Sequence, residues 1–158
     1  MANTQSMCTS FMGELLTATH NFGTAPTRGT STADTFKAAL YLTTATVNAS
    51  TTAYSSTNEV SGTGYTAGGV TVTNATAPTA TNSSATAGTA YWTPSASITY
   101  TTVTLTTAFD CVLIYNSSQS NKAVSVHTFG SQTVTAGTFT LTMPANTTST
   151  ALLRLATT

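Results

Sequence analysis

Ile98-Thr-Tyr-Thr-Thr-Val-Thr-Leu105, then Cys111-Val-Leu-Ile-Tyr115 and Ala123-Val-Ser-Val-His-Thr-Phe129, form the stretch that decides the fold class. Apolar side chains fall at 98, 100, 103 and 105. Successive side chains of a strand point to opposite faces, so this spacing reads as a strand with threonines on its other face. The alternation slips at Thr101–Thr102, which predicts a β-bulge there. Residues 111–115 form the most hydrophobic strand. In 123–129, Val124 and Val126 share a face and His127 points the other way.

Outward from this stretch the same signals continue. Tyr91–Trp92, Phe139 to Met143 and Ala151 to Leu155 read as short strands, with a tight turn at Thr135-Ala136-Gly137. Upstream, Phe36, Ala38, Leu40 and Leu42 alternate with Lys37, Ala39 and Tyr41, the period of a half-buried strand, and Val70 and Val72 start another. Residues 43–57 have no clear period. Residues 74–90 are nearly all Ala, Thr, Ser and Asn, and read as a long loop or as a strand pair with small side chains. Many short strands separated by turn residues indicate an antiparallel β-sandwich or a jelly-roll-like barrel. One helix is expected, over about 5–19, where Met7, Cys8, Phe11, Met12, Leu15 and Leu16 recur at steps of three and four. Gly13 weakens that helix by about 1 kcal/mol relative to Ala, so packing must hold it. The expected organisation is one domain over 1–158, with the sandwich over about 34–156 and a loop across 23–35.

Composition limits what such a domain does. Only 5% of residues are charged, the net charge is zero, and about a quarter of the residues are threonine. Ordinary soluble domains carry about 25% charged residues. Mean hydropathy is +0.09 and the pI is near 6.7. A neutral chain associates more readily than a charged one. Arg28, Lys37, Lys122 and Arg154 are too few and too scattered to bind phosphate backbones, so no nucleic-acid partner is expected. The longest aliphatic and aromatic run is far shorter than the ~20 residues of a spanning helix, so no membrane partner is expected either. The N-terminus does not read as a secretory signal. Asn-x-Ser/Thr triplets begin at Asn48, Asn74, Asn82, Asn116 and Asn146 and read as chance in a Thr-rich chain. Cys8 and Cys111 match no zinc or redox spacing and read as buried, reduced thiols.

The equipment for catalysis is thin. The acids are Glu14, Asp34, Glu59 and Asp110, and the histidines are His20 and His127. No spacing announces an acid–base pair, and a Ser125–His127–Asp110 triad is no more than any His would find in a Ser/Thr-rich chain. No metal-ligand spacing occurs, so no catalytic, metal or cofactor site is expected. The glycine-rich segment Ser61-Gly-Thr-Gly-Tyr-Thr-Ala-Gly-Gly69 lacks the Lys and Ser/Thr of a phosphate loop. Its glycines point to positive φ at several positions or to close backbone approach to another chain. Gly62, Gly64, Tyr65, Gly68 and Gly69, with Tyr54 and Trp92, are therefore candidate assembly contacts. Tyr65 reads equally as a core plug or an exposed contact.

Several stretches carry a resemblance that spans nearly the whole chain. They are Thr9-Ser-Phe11 with Glu14-Leu-Leu16, His20-Asn-Phe22, Asp34-Thr-Phe-Lys-Ala-Ala-Leu-Tyr41, and Thr52-Ala-Tyr-Ser-Ser-Thr-Asn-Glu-Val-Ser-Gly-Thr-Gly-Tyr-Thr-Ala-Gly-Gly69. Leu113-Ile-Tyr-Asn116, Phe129-Gly130, Ala136-Gly-Thr-Phe139 and Leu152-Leu-Arg-Leu-Ala156 complete them. In these the chain resembles a family of small virion structural proteins of tailed bacteriophages, from which it departs by its few acids and its Ala/Thr-rich 74–90 segment. The resemblance implies a non-enzymatic particle component. Of such roles a capsid decoration, or cement, protein on the head shell suits a neutral, hydroxyl-rich sandwich best. It would bind the major capsid protein as a homotrimer within the virion, after assembly in the bacterial cytoplasm. The alternatives are a tail, neck or fibre-associated component, or a receptor- or glycan-binding module using Tyr54, Tyr65, Tyr91, Trp92 and Tyr100 as stacking surfaces.

Overall fold

The computed structural model describes residues 2–16, 18–23, 33–74, 77–82 and 87–157. It is mainly β, with 47% strand and 5% helix, and its antiparallel sheets form a sandwich-like fold without closing into a barrel. The sandwich expectation therefore stands and the barrel alternative does not. Among the described residues no helix is long and apolar enough to cross a membrane.

The elements are β1 (Ser6–Met7), α1 (Thr9–Leu16), β2 (Phe36–Leu42), β3 (Val70–Thr71), β4 (Thr79–Asn82), β5 (Gly88–Trp92), β6 (Ile98–Asn116), β7 (Lys122–Leu141) and β8 (Leu153–Ala156). One sheet has the order β1-β7-β6-β2-β3 and the other the order β4-β5-β8. The centre of the larger sheet is the apolar run seen in the sequence: Leu113 pairs with Val126 on one side and with Ala39 on the other. Phe109, Cys111, Leu113, Val124 and Val126 are wholly buried there. The two sheets are joined through aromatics. Trp92 of β5 lies 4.8 Å from Phe22, which stacks on Phe36 of β2 at 4.3 Å.

The strands of the C-terminal half are longer than the sequence pattern predicts. Ile98–Leu105 and Cys111–Tyr115 are one continuous strand, and so are 123–129 and 139–141. The predicted bulge is present: the register shifts between Tyr100 and Val103, and Thr102 takes a φ of 53°. The predicted tight turn at 135–137 is a second irregularity within β7, with Ala136 at a φ of 46° and its amide bonded to Thr104 Oγ1. The turn-like residues there bend a strand without ending it, because β6 continues to pair across the bend. The true reversal lies at 117–121, where Ser120 and Asn121 both have positive φ.

Two further expectations change. The helix is shorter than 5–19, covering Thr9–Leu16, because Ser6 and Met7 pair with Val126 and Ser125 of β7. The amide of Cys8 continues that pairing by donating to Val124 O. Cys8 and Phe11 face the core and Leu15 packs against it, but Met12 is 48% exposed, so the apolar stripe is narrower than predicted. β2 is not half-buried. Ala38, Ala39, Leu40 and Tyr41 are all buried, because the chain at 55–60 closes its outer edge beyond β3 and also covers Tyr41, whose hydroxyl donates to Ser55 O. Of the two readings of 74–90, the strand pair is realised as β4 and β5. Most of the predicted 23–35 loop, including Arg28, lies outside the described residues.

Candidate functional site

The glycine-rich segment folds back on its own chain. Thr63 pairs with Thr104 of β6, and Val60 and Leu42 donate to or beside β2 through Leu40 O and Asn58 O. A Cβ on Gly62 would lie 2.1 Å from Thr104 O, one on Gly64 2.2 Å from Thr102 O, and one on Gly69 1.7 Å from Ala38 O. Gly64, Gly68 and Gly69 also hold φ values of 78°, 87° and 71°. The sequence reading of an approach to another chain is corrected here: the backbone approached is that of β2 and β6 of the same chain, because the segment folds back along them, while the positive φ reading holds at Gly64, Gly68 and Gly69. At Gly62, Gly64 and Gly69 a side chain lacks the room, and at Gly64 and Gly69 it lacks the favoured conformation as well.

Glu59 organises the underside of this segment. Its Oε1 accepts from the Tyr65 hydroxyl at 2.8 Å and from the Gly68 amide at 2.7 Å, and its Oε2 accepts from the Tyr54 hydroxyl at 2.6 Å. Tyr65 in turn accepts from the Leu40 amide, so one phenol caps the open edge of β2 and anchors to the carboxylate. Tyr115 donates to Gly68 O and Tyr100 to Ala38 O, both at 2.8 Å. Tyr54 stacks on Tyr115 at 4.8 Å and Tyr65 on Tyr100 at 5.9 Å. Burial first, and the Glu59 carboxylate after it, push the Tyr54, Tyr100 and Tyr115 hydroxyls above the usual phenol range. A buried carboxylate is tolerated when its lone pairs are filled by donors, and three donors do so here.

Of the candidate assembly contacts, the structure brings Gly62, Gly64, Tyr65, Gly68, Gly69 and Tyr54 into this one unit. Trp92 is apart from it, 2% exposed, with its indole N–H bonded to Asn74 Oδ1. Tyr65 is half-buried as a plug, and its hydroxyl is used internally. Glu59 carried no signal in the sequence beyond its position between Tyr54 and Tyr65.

A second polar chain links the helix to the end of the hairpin. Lys122 Nζ and His20 Nε2 meet the two Glu14 oxygens at 2.6 and 2.7 Å. The wholly buried Asn116 places Nδ2 3.0 Å from His20 Nδ1 and 2.7 Å from Asp34 Oδ2. An amide N–H donating to Nδ1 leaves Nε2–H to donate to Glu14. Burial opposes ionisation of Glu14, but the hydrogen bonds from Lys122 and His20 and the charge of Lys122 outweigh it and hold the carboxyl below its usual range. Every member is satisfied by a neighbour, and the arrangement ties α1 and residues 20–21 and 34 to β6 and β7. Asn116 is at the same time one of the Asn-x-Ser/Thr positions, and its burial closes it to modification in the folded chain.

The third cluster has the residue types of a triad without its geometry. Ser125 Oγ lies 2.9 Å from His127 Nε2, and burial pushes the imidazole down to about 4. Asp110 bonds instead to Asn3 Nδ2 at 2.6 Å, and Ser125 is 1% exposed, so its hydroxyl has no approach for a substrate. Cys8 and Cys111 are free and buried, and burial pushes their thiols up to about 11 and about 12. Among the described residues no group of three or more His, Cys, Asp or Glu converges as metal ligands would.

Comparison with protein-family models, with curated proteins and with solved structures found no match.

Proposed function

We propose that the chain is a non-enzymatic structural component of a tailed-bacteriophage particle, acting as a capsid decoration protein that binds neighbouring copies of the major capsid protein. One observation carries the reading. All four acids accept hydrogen bonds from within the chain, while the part of the β6–β7 hairpin formed by 98–107 and 129–141 is uncharged and rich in threonine. Thr99, Thr101, Thr106, Thr133, Thr135, Thr138 and Thr140 are all exposed on it. Such a surface sits against a neighbouring protein without desolvating ions, which is the costly part of burying a polar interface. It also sets many copies side by side without repulsion. Binding only to the assembled lattice stabilises that lattice by mass action. Homotrimers at local three-fold positions of the shell are the closed form this reading takes.

Quantitative protein composition of purified particles tests the proposal. A decoration protein is present in a fixed proportion to the major capsid protein and remains with heads after tails are removed. Co-purification with tails at low copy number reassigns it to a tail or neck role, and absence from particles overturns the structural reading.

A further inference from the structure

The β6–β7 hairpin has two long edges, and among the described residues only one is covered along most of its length. On the β6 side, β2 pairs with residues 109–116, and the glycine segment lies against Thr102 and Thr104. On the β7 side, β1, Cys8 and residues 52–53 cover only 122–126. From Phe129 to Leu141 no strand and no backbone hydrogen bond reaches the outer edge of β7 among the described residues. At about 3.4 Å per residue this edge is about 40 Å long.

Bare edges of this length recruit other strands, and monomeric proteins blunt them with Lys, Pro, inward charges or bulges. Between Phe129 and Leu141 there is no charged residue and no proline. The blunting devices present are irregularities of the strand: the bend at Ala136 and further shifts of the β6–β7 register between Thr128 and Phe139, and β7 nevertheless continues as one strand through them. The occupant must also be extended and uncharged. The other outer strands of the described fold are short: two residues in β1 and β3, four in β4 and β8. Only the same edge of another copy matches it in length. Antiparallel self-pairing about a two-fold axis sets neutral residues opposite neutral residues, so no like charges face each other.

We infer that the β7 edge from Phe129 to Leu141 is a homotypic docking edge that pairs antiparallel with its counterpart in a second copy of this chain. The inference stands on the edge itself and does not depend on the particle role. On a shell of three-fold clusters such a contact joins one cluster to the next.

Cysteine cross-linking of the full chain tests it. Ser131→Cys, Thr133→Cys and Thr135→Cys are made singly, with Thr101→Cys on β6 as a control. The native thiols are buried and give no background. Directly opposed residues on neighbouring strands lie within disulfide reach. Mild oxidation is expected to give a covalent dimer with at least one β7 variant and not with Thr101→Cys. The double variant Thr133→Lys/Thr135→Lys is expected to halve the sedimenting mass while keeping the β-rich circular dichroism of the parent. If no β7 variant cross-links in solution, the inference fails, whatever the lysine variant does. It also fails if the β7 thiols cross-link only to a different protein on particles.

Discussion

At Gly69 a β-carbon would stand 1.7 Å from Ala38 O, a backbone atom locked in the β2–β3 ladder. At Gly64 the obstacle is Thr102 O at 2.2 Å, and at Gly68 it is the movable Tyr115 hydroxyl at 3.1 Å. All three also need positive φ, which costs a β-branched residue about 1–2 kcal/mol by itself. Valine substitutions should therefore rank by what they strike. Gly69→Val is expected to prevent folding, Gly64→Val to destabilise by about 3 kcal/mol or more, and Gly68→Val by about 2 kcal/mol. Urea unfolding of the three variants checks this order, and equal effects would show that φ alone matters. His127 supplies a pH test. Its folded value near 4 lies below the unfolded 6.5, so the unfolded chain binds the proton first as pH falls. The associated stability is whole above pH 6.5, is lost between 6.5 and 4, and changes no further below that. Full burial would make the loss about 3 kcal/mol, and the partial exposure of the ring reduces this to about 1–2 kcal/mol. The imidazole resonance of His127 should titrate near pH 4, and a midpoint near 6.5 would remove this contribution.

Elements were legible from the sequence where one force dominated. The apolar run 111–115 and its partners 123–129 and 36–42 became the core of the larger sheet because alternation and burial point the same way there. The bulge at Thr101–Thr102 was legible because one slipped residue inverts which face is apolar. Helix α1 was only partly legible. Met7 fits a helical stripe, yet pairing with β7 satisfies its backbone better than another helical turn would. That leaves eight residues, too few to be stable without tertiary contacts. Gly13 adds to the weakness: it is exposed, and nothing lies within 4 Å of a Cβ added there. Gly13→Ala is accordingly expected to stabilise the protein by about 0.5–1 kcal/mol. For a chain of this size that raises the thermal midpoint by about 1–4 °C. No change in the midpoint would mean that α1 is already unfolded in the state that unfolds cooperatively.

The candidate site was legible at the scale of the segment and not at the scale of the molecule. Four glycines around Tyr65 announce close backbone approach, but nothing local says that the approached backbone is β2 and β6, or that Glu59 waits beneath to receive two tyrosines. Those contacts depend on which strands the long hairpin brings together. The same folding withdraws the acids inward, and this fixes what the intact molecule offers a partner. Lys37 and Lys122 are partly buried and Lys122 is paired with Glu14, while the hairpin surface presents hydroxyls and backbone. Salt acts on an interface through the charges that it screens. At about 1 M salt the Debye length is about 3 Å, short enough to remove any contribution from exposed charges. In the proposed role, association of this chain with heads, and of its copies with one another, should therefore change less than about threefold between low salt and about 1 M salt, a span over which a partner held by several ion pairs is released. Retention on particles washed across that range measures it. Complete release at moderate salt would mean that the contacts run through Lys37, Arg154 or another charged group, and the threonine-covered hairpin would lose its claim to be the surface that docks.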